Sequence, residues 1–440
     1  DALTAQETAL GDSIAVAAEV KFSQPERYSK IRLPHIHSWA PVYFNYDNVE
    51  SISGDDYYKT ASLGATAMFQ NLLSTGYGMV GYGAHEDPYK DGDWRHSGHF
   101  KYIFTGLWPV IEFSADFNDR AAMDIQKIQV SKEKMYRLYN KGTLTDKPYF
   151  EGGLKVYIPF NFSSGGINRG LIPQVKYKFT NDRYNDQILF QHIVKKDGKD
   201  VTETYSTIGE NNISPLQTLD ASIRGYVMRQ KAPSQVFPSL GFGAELGFHF
   251  RPGHMKAYNP TAYLYTYGYL PGFTARQGLR LTASMEVWYG PYEEGGIMEG
   301  ALTAIPRGFV DTNLKSIINS CSESRWRVTA DYAIPFADVD WSFLSPVAYV
   351  KNFELTPFFD WSYQTFSWNH ELHYNPGAVT GENLFSVGAD LTVRLGNFFW
   401  LPYDTQIGIR YARNFWHYID RFPISNLNKD YIGWIFSISL

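Results

Sequence analysis

The chain has 440 residues, a net charge of −5 at pH 7, 17% aromatic residues and a single cysteine. Lysine and arginine are scattered along it, so there is no basic footprint for nucleic acid. No run of about eighteen uncharged apolar residues occurs, which excludes a membrane-spanning helix, and no stretch has the composition of a linker between separate soluble cores.

The aromatic content rises at His35, and residues 42–46 are predicted to form a first, short strand. From there apolar and polar residues alternate with the period of two that is typical of β-strands. In residues 278–289, for example, a polar face from Arg280 to Glu286 opposes an apolar face. The further predicted strands are 63–70, 76–84, 94–104, 109–118, 149–160, 171–180, 217–230, 240–250, 260–269, 278–289, 325–334, 347–363, 384–395, 405–412 and 432–440.

The predicted connections alternate between short turns and mostly longer loops, which is the pattern of a membrane β-barrel with short periplasmic turns and long outside loops. The two longest polar stretches are 119–147 and 181–216, and 187–194 is a further candidate strand within the second. Tryptophan and tyrosine crowd the strand ends, as in interfacial girdles. The predicted fold class is therefore an all-β, transmembrane antiparallel barrel of about sixteen strands; core aromatics of a soluble all-β protein are the alternative.

The long connection after residue 289 contains a short motif that we interpret as the tip of an inward-folded loop. Gly308 allows a tight turn, while the flanking Arg307 and Phe309 present an always-charged guanidinium and an aromatic ring. In the predicted strand 347–363, Phe358 and Asp360 share one face. We expect Arg307 to donate to Asp360 from inside the lumen, in a charge-assisted contact worth roughly 1.5–3 kcal/mol.

The polar faces of the strands carry charges of both signs. Such a mixture favours a wetted lumen wall braced by ion pairs over an ion pathway. The lumen-facing charges are Glu112, Asp116, Asp220, Arg224, Arg280, Glu286, Arg327, Asp331, Asp390, Arg394 and Arg410.

Together these motifs resemble the surface-antigen superfamily, which includes the central subunit of the BAM assembly machine and the two-partner secretion transporters. Its sixteen-strand barrels fold their sixth outside loop into the lumen with a Val-Arg-Gly-Phe-like tip, and the tip arginine packs against a Phe-x-Asp motif two strands later. The Pro-Arg-Gly-Phe stretch ending at Phe309 and the Phe-Phe-Asp stretch ending at Asp360 stand in those places, with proline replacing valine. Residues 28–43 also look like the entrance to barrels fused behind β-propeller domains in some Gram-negative surface proteins.

The resemblance implies that residues 1–37 form an N-terminal periplasmic extension or linker and that residues 38–440 form a barrel in the bacterial outer membrane. Lipid and lipopolysaccharide would surround it, and protein partners would join it in a multi-subunit complex. The implied function is outer-membrane protein assembly or translocation. A passive pore or transporter and a membrane anchor for a surface complex stay open as alternatives.

The last strand ends in an apolar stripe, and Gly433, Trp434 and Phe436 are predicted to border a lateral seam between the first and last strands. An extended client segment can add to such an exposed strand edge.

No catalytic motif is present in the sequence, so we expect no enzyme, no cofactor and no metal. A histidine cluster formed by His96 and His99 with His85 is interpreted as solvated loop residues, and the motif at 370–373 as a weak cation candidate. Barrel-embedded lipases use a Ser–His pair near the outer leaflet, but the sequence alone places no such pair.

Overall fold

The structure is a computed structural model. It describes residues 35–44, 61–86, 93–118, 124–129, 135–140, 148–181, 184–185, 189–196, 199–206, 212–213, 216–232, 234–252, 260–288, 305–310, 322–345, 347–366, 380–398, 404–417 and 428–439. Within these ranges no helix is long and apolar enough to cross a bilayer. Most of the predicted extension at 1–37, the motif at 370–373 and Leu440 lie outside the described residues.

The described secondary structure consists of twenty-three strands. They are β1 (His35–Phe44), β2 (Ala61–Gln70), β3 (Gly76–Glu86), β4 (Trp94–Phe104), β5 (Val110–Phe117), β6 (Asp124–Gln129), β7 (Met135–Asn140), β8 (Phe150–Tyr157), β9 (Phe160–Asn161), β10 (Ile167–Thr180), β11 (Tyr184–Asn185), β12 (Leu189–Lys196), β13 (Lys199–Ser206), β14 (Asn212–Ile213), β15 (Leu216–Arg229), β16 (Gly241–Phe250), β17 (Thr261–Pro271), β18 (Gly278–Trp288), β19 (Ser322–Trp341), β20 (Tyr349–Phe366), β21 (Thr380–Gly396), β22 (Asp404–His417) and β23 (Asp430–Ser439).

Seventeen of these strands form one antiparallel sheet in which each strand pairs with the next wall strand along the chain. β8 and β9 both pair with β10 and are separated by Ile158 and Pro159, so they form one interrupted wall strand. The wall therefore has sixteen strands, and the predicted barrel fold class is confirmed.

The two faces of the wall differ as the alternation predicts. On β20, the side chains of Phe358, Asp360 and Ser362 are buried, whereas Phe359 between them is exposed. Exposed apolar side chains form the other face throughout the wall, from Val80 to Ile409. An apolar outer face and a buried polar inner face are what a bilayer-spanning barrel presents to lipid and lumen.

Tyrosines fill part of the inner face by lying over glycines of neighbouring strands. A Cβ atom added to Gly247 or Gly243 of β16 would lie only 2.1 or 2.2 Å from the ring of Tyr263 or Tyr267 on β17. These glycines let the rings lie flat against the wall, which is a close approach that no larger residue permits.

The first strand differs from the sequence expectation. β1 begins at His35, three residues before the predicted start of the barrel domain, and it pairs with β2 over its whole length rather than only from Val42. Its register shifts between Ile36 and Ser38 and again at Pro41. These bulges break the period of two, which explains why the alternation predicted only 42–46. Pro41 has no N–H, so it is tolerated at a bulge of an edge strand.

Two long connections carry strands of their own. β6 and β7, between β5 and β8, join β12 and β13, between β10 and β15, in a four-stranded sheet through the pairing of Leu189 with Tyr139. The sequence predicts polar stretches at 119–147 and 181–216, with only 187–194 as a candidate strand. The hairpins were missed because these segments lack the sustained alternation of the wall strands.

β19 is the longest strand of the wall, with 20 residues. Its pairing with β18 ends where Ala333 meets Gly278, but its pairing with β20 continues to Trp341 and Val350. The β19–β20 hairpin thus extends beyond β18 at the end of the wall that carries the short turns.

A charge placed on the outer face should test contact with lipid. Leu391 on β21 is 50% exposed and Leu240, in the turn before β16, is 53% exposed. We expect Leu391→Lys to lower the free energy of unfolding in bilayers by about 2–4 kcal/mol, and Leu240→Lys near the interface by about 0–1 kcal/mol. Denaturant titration of both variants in lipid vesicles checks this difference, and equal costs would contradict a lipid-facing β21.

Candidate functional site: a loop latched inside the barrel

The segment 305–310 belongs to the connection between β18 and β19, which is the sixth long connection of the wall. It makes a tight turn in which the N–H of Phe309 donates to the carbonyl of Pro306 at 3.0 Å. Ile305, Pro306, Gly308 and Phe309 are all buried. The turn therefore lies against the polar inner face, not in solvent.

Arg307 and Asp360 are brought together by four hydrogen bonds. The backbone N–H of Arg307 donates to Oδ2 of Asp360 at 2.9 Å, and Nη2 donates to Oδ1 at 2.7 Å. Nε donates to Oδ2 at 2.9 Å and to Oδ1 at 3.2 Å. A guanidinium that grips both oxygens of a fully buried carboxylate is bidentate, and the extra backbone contact fixes the turn as well as the side chain.

A second carboxylate completes the site. Nη2 of Arg307 lies 2.6 Å from Oδ1 of Asp331, which β19 places beside β20. Arg280 of β18 donates to Oδ2 of Asp331 through Nε and Nη2, at 3.0 and 2.9 Å. Arg327 approaches Oδ2 of Asp360 at 3.3 Å. Three guanidinium groups thus surround two buried carboxylates, and Arg307 contacts both.

Electrostatics hold Arg307 in its charged form. Burial lowers the pKa of Arg307, but the hydrogen bond with Asp360 and the negative charge of Asp331 outweigh this effect and raise the pKa above its ordinary value. Arg307 therefore keeps its positive charge at every physiological pH.

Phe358 lies between two arginines. Cζ of Arg307 lies 4.0 Å from the centre of its ring, and Cζ of Arg410 on β22 lies 5.4 Å from it. Arg410 is itself bound to Asp390 of β21 by two hydrogen bonds of 2.7 Å. The Phe-x-Asp pair therefore supplies both a ring face and a carboxylate to the same guanidinium.

Gly308 is required by close approach to the wall. A Cβ atom at this position would lie 2.0 Å from Oδ1 of Asn414, 2.6 Å from Oγ of Ser386 and 2.9 Å from Cβ of Ala412. The carbonyl of Gly308 also accepts a 2.8 Å hydrogen bond from Nδ2 of Asn414. The ring of Phe309 packs edge-on against Trp416 at 6.1 Å. The tip consequently contacts β19, β20, β21 and β22.

The predicted seam residues lie apart from this site. Gly433, Trp434 and Phe436 of β23 face Arg410, Ile409 and Ile407 of β22 in register. In the described residues, the ladder pairings of β23 join it to β22, and those of β1 join it to β2.

Sequence reasoning missed two parts of the site. It grouped Asp331, Arg327 and Arg280 with the general ion pairs of the wall, because period-two counting gives the face of a residue but not its depth. It did not single out Asn414, although a lone amide among aromatic residues at 414–416 is a signal that could have been found. Among the described residues, no three His, Cys, Asp or Glu side chains lie close enough to hold a metal ion.

Neither protein-family models nor the curated proteins yield a match to this chain. Among solved structures, CdiB from Escherichia coli is similar with a TM-score of 0.45 and 10% identity, covering 86% of this chain and 59% of CdiB. BamA from Haemophilus ducreyi, in a structure lacking POTRA domains 1–3, is similar with a TM-score of 0.43 and 10% identity, covering 89% and 69%. The chain thus spans less than two thirds of the CdiB structure.

A double-mutant cycle should reveal direct coupling of Arg307 and Asp360. Each of Arg307→Ala and Asp360→Ala removes the main partner of a buried charge, which keeps only one other ionic contact, so each should lower the unfolding free energy by about 3 kcal/mol. The double variant should lose less than the sum, by about 1–3 kcal/mol. Heat-modifiability and denaturant titration in detergent measure these losses.

The control cycle uses Lys351 and Asp404, which form a 2.5 Å ion pair on partly exposed side chains at the turn end of the wall. Its coupling should stay below about 1 kcal/mol. We call the contact of Arg307 with Asp331 and Asp360 the latch. Additive losses for Arg307→Ala and Asp360→Ala would contradict it.

Proposed function

We propose that this chain is an outer-membrane barrel that serves protein traffic, either by helping other barrels insert or by translocating a polypeptide, together with protein partners in a multi-subunit complex. Outer-membrane lipid and lipopolysaccharide would contact its apolar face. This role requires no catalysis. The single observation that carries the proposal is the loop latched by Arg307 to Asp331 and Asp360 inside the wall.

The latch supports a gated barrel over a passive pore. A loop segment occupies the inner face and is held by buried charge pairs and by a ring stack, which a permanently open channel does not require. A buried guanidinium that loses one partner is strongly destabilised. The position in which Arg307 contacts both Asp331 and Asp360 is therefore favoured over positions in which it contacts only one of them.

The strand edges support a route for an extended client. Ile432 on β23 is 74% exposed, whereas Ile409 on the neighbouring β22 is 44% exposed, although both belong to the apolar outer face. On the other edge, Ile36 and Trp39 of β1 are similarly exposed, and bulges interrupt the same strand. Exposed edges of this kind accept an added strand through backbone hydrogen bonds.

The loop tip around Gly308 also contacts the last hairpin, which is formed by β22 and β23. Asn414 donates from Nδ2 to the carbonyls of both Gly308 and Asn428, at 2.8 and 3.1 Å, while its own N–H donates to the carbonyl of Lys429. One side chain thus bridges the loop tip and the start of β23. We propose that seating of the tip stabilises the last hairpin against which a client strand would pair.

Planar-bilayer conductance separates this proposal from a passive pore. We expect the intact barrel to show small or intermittent currents, and deletion of residues 301–313 to produce larger, steadier ones because the latched tip is lost. Arg307→Ala should lie between the two. Large steady currents that the deletion leaves unchanged would favour the passive pore or transporter.

Site-specific photo-crosslinking tests the client route. A photoreactive amino acid at Ile432 should capture outer-membrane polypeptides during their assembly or export, because β23 pairs with β22 on one side and has no second ladder among the described residues. The same group at Ile409 should capture few or none. Equal capture at both positions, or capture of one constant surface protein alone, would favour the membrane anchor.

A further inference from the structure

The polar clusters of the inner face are closely filled by their own side chains. Contrary to the sequence interpretation, His99 and His85 are buried there and are not solvated loop residues. His99 is hydrogen-bonded to Asp116 and Ser97, at 2.8 and 2.9 Å. A Cβ atom at Gly83 would lie only 2.7 Å from Oγ of Ser97, which shows how tightly the wall packs at this point. Space of a ligand's size lies instead on the apolar outer face.

A groove of about 630 Å³ crosses β8, β10, β15, β16 and β17 on the outer face. This volume lies within the range of small-molecule sites in proteins, roughly 300–1,000 Å³. Its walls are apolar side chains such as Val175, Ile223 and Leu246, which are 47, 42 and 56% exposed. Gln174 and Ser222 also border it, but their side chains are hydrogen-bonded to each other on the inner face. They therefore contribute backbone, which forms the floor.

The groove runs between two neighbouring register rows of outward-facing residues. The row nearer the long loops consists of Val156, Val175, Ala221, Phe248 and Ala262. The row two residues nearer the short turns contains Pro173, Ile223 and Leu246. Two residues of a strand span roughly 7 Å, and carbon atoms in contact lie about 3.5–4.0 Å apart. A single hydrocarbon chain therefore fits between the rows.

The space between the rows is kept open by the choice of side chains. Ala221 and Ala262 each contribute only a methyl group to the row nearer the long loops. Phe248, between them, contacts the ring of Phe250 with a centroid distance of 5.3 Å. Phe250 lies on the opposite side of Phe248 from Leu246 along β16, so this contact leaves the side that faces Leu246 to the groove. The result is a backbone floor with hydrocarbon sides.

The groove slopes from the middle of the wall to its outer end. Ala262 is one residue from the end of β17 at Thr261, whereas Val156 is six residues from the end of β8 at Phe150. Both strand ends lie on the side of the outside loops. Four steps between neighbouring strands, about 4.8 Å each, make the groove roughly 19 Å long. With a strand tilt of about 40° it rises roughly 12 Å, which approaches the depth of one leaflet, about 15 Å.

We propose that this groove binds an acyl chain of lipopolysaccharide, the lipid of the leaflet that faces the outside loops. The headgroup stays at the outer end beside Ala262, while the chain descends between the rows toward Pro173. The groove is continuous with the lipid-facing surface, and its apolar walls select hydrocarbon because a polar ligand would lack hydrogen-bond partners there. The proposal rests on the outer-membrane placement of the barrel and not on its traffic role.

The inner end of the groove lies at an interruption of the wall. Ile158, in the break between β8 and β9, donates its N–H to the carbonyl of Pro173 at 3.1 Å. Pro173 has no N–H with which to return the bond. A seated acyl chain covers this incomplete strand pair from the lipid side. Because a ligand that binds only the folded wall stabilises it, the lipid strengthens the wall at this interruption.

Lipids that stay bound to the full chain after mild extraction from outer membranes test the proposal. Mass spectrometry of the retained lipids should find a single lipopolysaccharide on the original chain. In a double variant, Ala221→Leu with Ala262→Leu, larger side chains fill the space between the rows. Retention should then fall at least about 10-fold, equivalent to about 1.4 kcal/mol of affinity. Retention of phosphatidylethanolamine in place of lipopolysaccharide would overturn the assignment.

Ala283→Leu is the matched control for the double variant. Ala283 is an exposed alanine on the outer face of β18 and lies outside the groove, so this variant should retain lipopolysaccharide like the original chain. Heat-modifiability of each variant checks that the barrel folds. Equal retention by the original chain and the folded double variant would overturn the proposal.

Two measurements on the original chain need no variant. Lipid A, the acylated part of lipopolysaccharide, should bind the purified barrel more weakly when its acyl chains are shortened, because fewer methylene groups are buried. A lipid A analogue with a diazirine at the end of one acyl chain should crosslink near Ile158 and Pro173. Crosslinks scattered over all outer-face strands would overturn the proposal. Client capture at Ile432 is measured separately, so the lipid site and the traffic role can fail independently.

Discussion

The contact of one guanidinium with two carboxylates is the interaction on which the latched structure depends. Moving Arg307 out of water is costly unless charges of opposite sign receive it. Asp331 and Asp360 receive it, and the wall itself pairs them with Arg280 and Arg327. The loop can return to the inner face because β19 and β20 place these two carboxylates side by side, and its glycine and aromatic neighbours give the tip a shape that fits there.

Two contacts of the inner face involve the edge strands of the sheet. The latch reaches the last hairpin through Asn414, while the ring of Tyr43 on β1 stacks on the imidazole of His99 on β4. The edge strands β1 and β23 are thus each connected to the inner face by a side-chain contact.

Sequence reasoning found the wall because burial on one face imposes a strict period of two, which is clearest where long strands such as β20 and β21 have partners on both sides. It failed at β1, where bulges near Ser38 and Pro41 shift the faces, and in the hairpins β6–β7 and β12–β13, which have no sustained alternation. For the site, the shared face of Phe358 and Asp360 and the resemblance to the superfamily motifs predicted the contact of Arg307 with Asp360. They could not supply Asp331 or Asn414, because these contacts also depend on where the loop tip lies along the inner face, which the alternation within a strand does not give.

The overhang of β19 beyond β18 has a mechanical consequence. Asp331 and Asp360 are carried by the same two strands that continue into the hairpin ending at Trp341 and Val350. Extended chain rises about 3.3 Å per residue, so the eight residues of β19 past Ala333 form an arm roughly 26 Å long when measured along the strand. The two strands of this hairpin are continuous with the segments that carry Asp331 and Asp360. A displacement of the hairpin therefore acts on both carboxylates that bind Arg307.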